Sequence, residues 1–193
     1  LMADVVVINK VDSASPDNIA RVRESIWKYN INATVIDAAS PIDVDKPELI
    51  KGKRVLVVED GPTLTHGEMK YGAGIVAAHK FGAGELVDPR PFTVQSISAT
   101  FKKYPGIGTL LPAMGYGDRQ VKDLETTINR TACDLVMIAT PIDLKKIIKI
   151  NKPSVRVFYS LQEVGSPNLE TVLSAKFGKG RSTKKGSSKR SRK

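Results

Sequence analysis

The sequence predicts an α/β protein built on a mostly parallel sheet. Two observations point there. Short aliphatic runs, at Val5–Ile8, Val55–Val58, Leu135–Ile138 and Val155–Phe158, alternate with stretches whose apolar residues recur at helical spacing. The run Val5–Ile8 is unbroken, as expected of a strand covered on both faces. The run ends in polar residues, at the edge where open α/β sheets bind ligands.

The first strand delivers Asn9-Lys10-Val11-Asp12 to its carboxyl end. One meaning of this tetrapeptide is a solvated turn, since Asn and Asp suit turns. The other is base recognition, because Asn-Lys-x-Asp is the guanine-reading motif of P-loop GTPases. The Asp12 carboxylate can accept two hydrogen bonds from the ring N–H and exocyclic amine of guanine, a pair that adenine lacks. Lys10 can lay its methylene stem along the base, and Asn9 can tie neighbouring loops. Ser15-Pro16-Asp17 starts a helix, with Ser as cap, Pro in the first position and an acid in the first turn. Ile19, Val22, Ile26 and Trp27 give it one apolar face. Thr34–Asp37 is the next strand, and Ala38, Ala39 and Ser40 form a small-residue loop. In GTPase-like sheets such a loop brings backbone amides to the base.

Arg54–Val58 is a strand that carries Glu59 and Asp60 to its end. These acids can hold Mg2+, act as a general base or cap the turn. The stretch Thr63–Gly74 combines glycines with His66 and Lys70, and suits close approach to an anion. His66, beside the acid pair, is the histidine best placed for catalysis, with Asp60. A helix follows with Ala73, Val76, Ala77 and Phe81 inward. Beyond the extended connector around Arg90, Val94, Ile97, Phe101 and Tyr104 define another helix, ending at Pro105-Gly106. Ile107–Leu111 is a strand leading to a second glycine loop at Gly115. Asp118 is the expected cap of the helix bearing Val121, Leu124 and Ile128. Arg119 and Lys122 stand in its first turns, where cations oppose the helix dipole unless an anion binds. Asp134–Asp143 spans a buried strand and its loop. Leu144–Ile148 is a short helix, Val155–Tyr159 a strand, and Ser166-Pro167 starts a last helix.

The net charge of +10 is uneven. Residues 176–193 hold nine Lys/Arg and no acid, leaving 21 basic against 20 acidic residues in 1–175. Such a tail cannot bury enough apolar surface to fold; it either serves solubility with no dedicated partner or is the one segment that could touch nucleic acid, non-specifically. Cys133 cannot form an internal disulfide, being the single cysteine, and the cytoplasm is the expected location. No apolar run matches a membrane span. The expected domains are 1–50, the end of a nucleotide-binding domain; 51–177, a second α/β unit; and 178–193, a disordered basic tail.

The sequence Gly-x-x-x-x-Gly-Lys-Ser/Thr, which grips a triphosphate, does not occur. Leu1 in place of an initiator methionine is expected of a sequence that begins inside a longer protein. Taken together, ADVVVINKVDSA, the AASP loop, VLVVEDGPTLTHGEMKYGAG, LPAMGYGDRQVKDLETTIN and DLVMIATPIDLKKIIKINKP resemble the cyclic 2,3-diphosphoglycerate synthetase family and related predicted P-loop GTPases. The resemblance covers nearly all of residues 2–175. It implies a P-loop NTPase-like end followed by a Rossmann-like unit, with the phosphate-gripping loop upstream. It also implies ATP-driven closure of a phosphoanhydride within 2,3-diphosphoglycerate, with ATP or GTP and Mg2+ as cofactors. Lys70, Arg90, Arg119 and Lys122 are then the expected contacts of a phosphorylated small-molecule substrate. Assembly of identical copies is compatible with this class. A GTPase switch and a non-catalytic, RNA-binding fragment are the alternatives.

Overall fold

The computed structural model describes residues 2–66, 70–115 and 117–178, without the side chains of Thr63 and His66. The glycine-loop residues Gly67–Met69 and the tail 179–193 lie outside the described residues. Helices and strands alternate, and five of the seven strand pairings are parallel, so the predicted α/β class holds. The described chain forms two compact units, residues 2–41 with 161–178, and residues 42–160. Among the described residues, no helix is long and apolar enough to cross a membrane.

In the first unit, β1 (Val5–Asn9) pairs in parallel with β2 (Thr34–Ala39), Val5 opposite Thr34 and Asn9 opposite Ala38. Helix α1 (Pro16–Tyr29) makes the crossover and starts as predicted: Ser15 accepts the Asn18 N–H, Pro16 leads, and Asp17 lies in the first turn. Later in the chain a short strand, Gln162–Val164, adds antiparallel to the other side of β2. Its polar Gln and Glu hid it from the periodicity. The last helix, Leu169–Phe177, starts after Asn168, whose side chain forms a capping box with Thr171. That is two residues beyond the predicted Ser166-Pro167 start. The expectation that β1 is covered on both faces is not met among the described residues: only Ile8 of its run is buried, and β2 is the one strand paired with it there. The predicted inner face of α1 is correspondingly open: no residue of it is buried, Val22 is 47% exposed and Trp27 56%.

The second unit has its own sheet. Its first strand is β3 (Ile42–Val44), and its centre is β4 (Arg54–Asp60). After β4 come α2 (Gly61–His66), α3 (Ala73–Lys80), β5 (Glu85–Leu86), α4 (Gln95–Lys103), β6 (Leu111–Ala113), α5 (Asp118–Arg130), β7 (Leu135–Ala139) and β8 (Ser154–Tyr159). The strand order is β3-β8-β7-β4-β5, with β6 also on β4. β4 pairs β5 at Arg54 and Val55 and pairs β6 at Val58 to Asp60. Since β7 fills the other edge of β4 from Val55 to Glu59, β5 and β6 share one edge in succession. The chain departs from β4 to that edge and returns to the opposite side at β7. The β4–β7 boundary is therefore a topological switch point, where such sheets bind ligands. Val55–Val58, Leu135–Ile138, Leu124 and Ile128 form the core of this unit.

Three local expectations shift. α3 buries Gly74, Ile75, Ala77 and Ala78, while Val76 is exposed. The cause is Gly74: its missing side chain lets the helix lie against Val57 and Ala139. The strand expected at Ile107–Leu111 is β6, starting at Leu111, because the Gly108 N–H is bound to the Lys70 carbonyl (2.9 Å). The cap of α5 is Gly117, with Asp118 as the first helical residue. Cys133 packs half-buried against the core, and burial pushes its thiol pKa up.

Candidate functional site

At the end of β1 the backbone turns sharply, with Lys10 in the left-handed region at φ 63°. The Asn9 side-chain oxygen accepts the Lys10 N–H at 2.8 Å and holds this turn. The Lys10 carbonyl then accepts the N–H groups of Ser13 (3.1 Å) and Ala14 (3.0 Å). Two bonds tie this loop to the end of β2. The Val11 N–H donates to the Ala38 carbonyl at 3.1 Å, and the Ser40 N–H donates to Asp12 Oδ1 at 3.1 Å. Asn9, Lys10 and Asp12 are exposed, and Ser40 is half-exposed beside them. Ala38 and Ala39 differ from expectation: they are buried strand residues of β2, paired with Glu163 and Gln162. The loop proper begins at Ser40. Arg23 of α1 donates through Nη2 to both oxygens of Asp37 at 2.7 Å, an ion pair the sequence did not mark.

At the end of β4 the two acids part. Successive strand residues point to opposite faces, and Glu59 faces α3. Its carboxylate is buried and accepts the Ile75 N–H at 2.9 Å, with the Gly72 and Gly74 amides also bonded to it. Burial raises its pKa, and the three amides act against that rise. Glu59 thus caps the start of α3. Asp60, half-buried on the other face, does not share that environment. Of the two acids expected to hold Mg2+, Glu59 is thus already bonded to the amides at the start of α3. The side chain of His66 lies outside the described residues.

The four expected substrate cations fall in two places. Arg90 Nη2 donates to the carbonyls of Ile107 and Gly108, Nη1 donates to Asp88 at 3.0 Å, and the guanidinium lies 4.6 Å from the centre of the Phe101 ring. It fastens the segment before β6, where the Lys70 backbone also binds, while the Lys70 residue is exposed. Arg119 and Lys122 lie together on α5. Arg119 donates through Nε (3.2 Å) and Nη2 (2.7 Å) to the Gln95 side-chain oxygen, and Lys122 is exposed. Next to Lys122, Asp123 is buried and accepts the Ser96 hydroxyl at 2.6 Å and the Ser96 N–H at 3.0 Å. The Ser96 hydroxyl chiefly holds the Asp123 pKa down; burial opposes it, and the Ser96 N–H and the charges of Arg119 and Lys122 assist. Gln95 has φ 34°. Asp123 and Arg119, four residues apart on one helix face, so pin the start of α4. That spacing was the available signal for Asp123, which the sequence reasoning passed over.

At the ends of β7 and β8, Thr140 Oγ1 donates to the Ile142 carbonyl at 2.6 Å, and Arg156 Nη2 donates to the Pro141 carbonyl at 2.9 Å. Ala73, at the start of α3, lines the same cleft.

These features define an α/β protein of mostly parallel sheets with polar loops gathered at strand carboxyl ends. No family model matches the chain. It is similar to the arginine synthetase ArcE of Thermococcus kodakarensis, with 66% identity over 171 residues, or 89% of this chain. The chain spans 38% of the length of that relative. The comparison supports kinship with a named archaeal synthetase, and not with cyclic 2,3-diphosphoglycerate synthetases in particular.

Proposed function

We propose that this chain is part of a nucleoside-triphosphate-dependent synthetase, with Asn9, Lys10, Asp12 and Ser40 at the nucleotide base. The observation that carries the nucleotide assignment is the bond from the Ser40 N–H to Asp12 Oδ1. It orients an exposed carboxylate and leaves its second oxygen for a ligand N–H. The synthetase assignment comes from the relative, whose name says that it makes arginine. We extend an arginine-forming reaction to the full protein, in place of phosphoanhydride closure in 2,3-diphosphoglycerate.

In this scheme the first unit binds and orients the base. Ala38 and Ala39 hold Ser40 in place by burial in β2. The triphosphate is gripped outside Asn9–Asp12. The second unit offers the cleft between the end of β7 and β8 to the other substrate, with Thr140 and Arg156 as polar groups there. Mg2+ would screen phosphate charge when bound, but Glu59 does not fit as its ligand, and no step is assigned to it.

The test compares GTP and ATP binding by the wild type and Asp12→Ala, by isothermal titration. A preference for GTP that Asp12→Ala reduces by about tenfold or more, equivalent to about 1.4 kcal/mol, supports base reading. Equal binding of both nucleotides, unchanged by Asp12→Ala, removes it. A second reading, a GTPase switch, draws on the same carboxylate, which matches the two donors of guanine. Nucleotide hydrolysis without arginine formation in the full protein would favour it.

A further inference from the structure

A cavity other than the β7–β8 cleft lies between α4 and α5, beside the carboxyl end of β6. Its volume is about 300 Å3, the lower end of the range for small-molecule sites. Ile97, Met114 and Leu124 give it an apolar lining, and Ser96, Thr100, Lys103 and Gln120 give it polar groups. Both hydroxyls have already spent their protons. Ser96 donates to Asp123 Oδ2 at 2.6 Å, and Thr100 donates to the Ser96 carbonyl at 3.0 Å. What remains to them is lone pairs, and the Asp123 carboxylate behind Ser96 makes its oxygen the stronger acceptor. Lys103 has only donors. Its ammonium lies 5.1 Å from the centre of the Tyr104 ring and has no carboxylate partner among the described residues. The Gln120 amide, donor and acceptor, has no hydrogen-bond partner among them either. A Cβ on Gly115 would come within 2.5 Å of Gln120 Oε1, so that glycine leaves room for the amide beside the cavity.

We propose that this cavity binds a free L-α-amino acid with an aliphatic stem and a nitrogen-bearing end. The ammonium meets the oxygens of Ser96 and Thr100, and the carboxylate meets Lys103. The stem lies on Ile97, Met114 and Leu124, and the distal nitrogen donates to Gln120 Oε1. Ser96, Thr100 and Lys103 follow one another at i, i+4 and i+7, which sets acceptors and donor in one row on α4. Thr100 and Lys103 are one turn apart, about 4.5 Å of helix rise, a span that the two charged groups of one amino acid bridge. A simple anion such as phosphate does not suit the row, because the hydroxyls cannot donate to it. A simple amine does not suit it, because Lys103 repels it. The site is separate from the β7–β8 cleft. Arginine as a probe rests on the arginine-forming reading above; recognition of the head group does not.

The test titrates the full chain, without nucleotide, with L-arginine and L-glutamine by isothermal calorimetry. Agmatine, which lacks the carboxylate, and 5-guanidinopentanoate, which lacks the α-ammonium, are the controls. The expected result is binding of an amino acid, with each control weaker than arginine by about tenfold or more. Lys103→Met keeps the stem and removes the charge, and Gln120→Leu removes the amide; each should weaken amino-acid binding by about fivefold or more. Lys103→Met should also erase the advantage of arginine over agmatine. Both residues are exposed, so the melting temperature of the free chain should not move. Amide hydrogen exchange should slow on binding in Gln95–Lys103 and 120–124, with 139–141 unchanged. Binding of L-glutamine without L-arginine keeps the site and removes arginine as its ligand. Binding of neither overturns the proposal. So does binding that both variants leave intact, or protection at 139–141 in place of α4 and α5. None of these outcomes bears on the comparison of GTP with ATP at Asp12.

Discussion

The Glu59 carboxylate occupies the space that a side chain on Gly72 would need: a Cβ built there falls onto Glu59 Oε2. A buried acid at the end of the central strand and a glycine at the start of α3 are thus one unit of structure. A Cβ built on Gly74, two residues on, would come within 3.1 Å of the same carboxylate and closer still to Val57 and Ala139.

Gly74→Ala should therefore destabilise the second unit by about 1–3 kcal/mol, the usual cost of overpacking a filled interior. Alanine normally stabilises a helix position held by glycine, so the sign separates packing from propensity. Denaturant unfolding, followed by exchange of the β4 amides, measures it.

Glu59 should make the second unit more stable in mild acid than at neutrality. Burial favours its neutral form, so the folded protein holds the proton more tightly than the unfolded chain does. The contribution is fully present below the ordinary value of 4.5 and is lost as pH rises through the elevated folded pKa. Glu59→Gln keeps an acceptor for the amides and should flatten this slope. Glu59→Ala should lower stability throughout by leaving the Ile75 N–H unpaired. Melting curves across pH distinguish the three proteins.

Asp123 should act in the opposite sense. Its folded pKa lies below the ordinary 3.8, so its contribution is present above that value and fades as pH falls through the depressed one. Asp123→Ala removes the cap of α4 and should cost about 0.5–2 kcal/mol at neutral pH. Ser96→Ala should raise the pH at which the loss begins, read from the acid limb of a stability profile.

Arg90→Lys should reduce stability without altering nucleotide or substrate affinity. A lysine cannot reproduce the guanidinium fork across Ile107, Gly108 and Asp88, nor its stacking on Phe101. A change in ligand affinity with unchanged melting temperature would restore Arg90 to the role the sequence suggested.

Strand and helix order was legible wherever an aliphatic run or a capping pattern was long enough, as at β4, β7, α1 and α5. Short strands such as β3, β5 and Gln162–Val164 were not, because two or three residues carry no period. Acids and cations were found at strand ends and helix starts, but their partners were not. Glu59 meets Gly72 to Ile75, and Asp123 meets Ser96, through tertiary approach that no local spacing encodes. The Asp12–Ser40 contact was legible in outline, because one β-α-β step brings neighbouring parallel strands to a common edge.

The double occupancy of one edge of β4 bears on how the second unit folds. The amino half of that edge is filled by β5 and the carboxyl half by β6. The opposite edge waits for β7, whose approach is marked by the Arg54 N–H bonded to Asp134, 80 residues away in sequence. Each closure spends chain entropy before its contacts reward it. The central strand therefore acquires its neighbours piecemeal and late. High contact order of this kind predicts slow refolding, with β4 exposed to misplaced strands until β7 arrives.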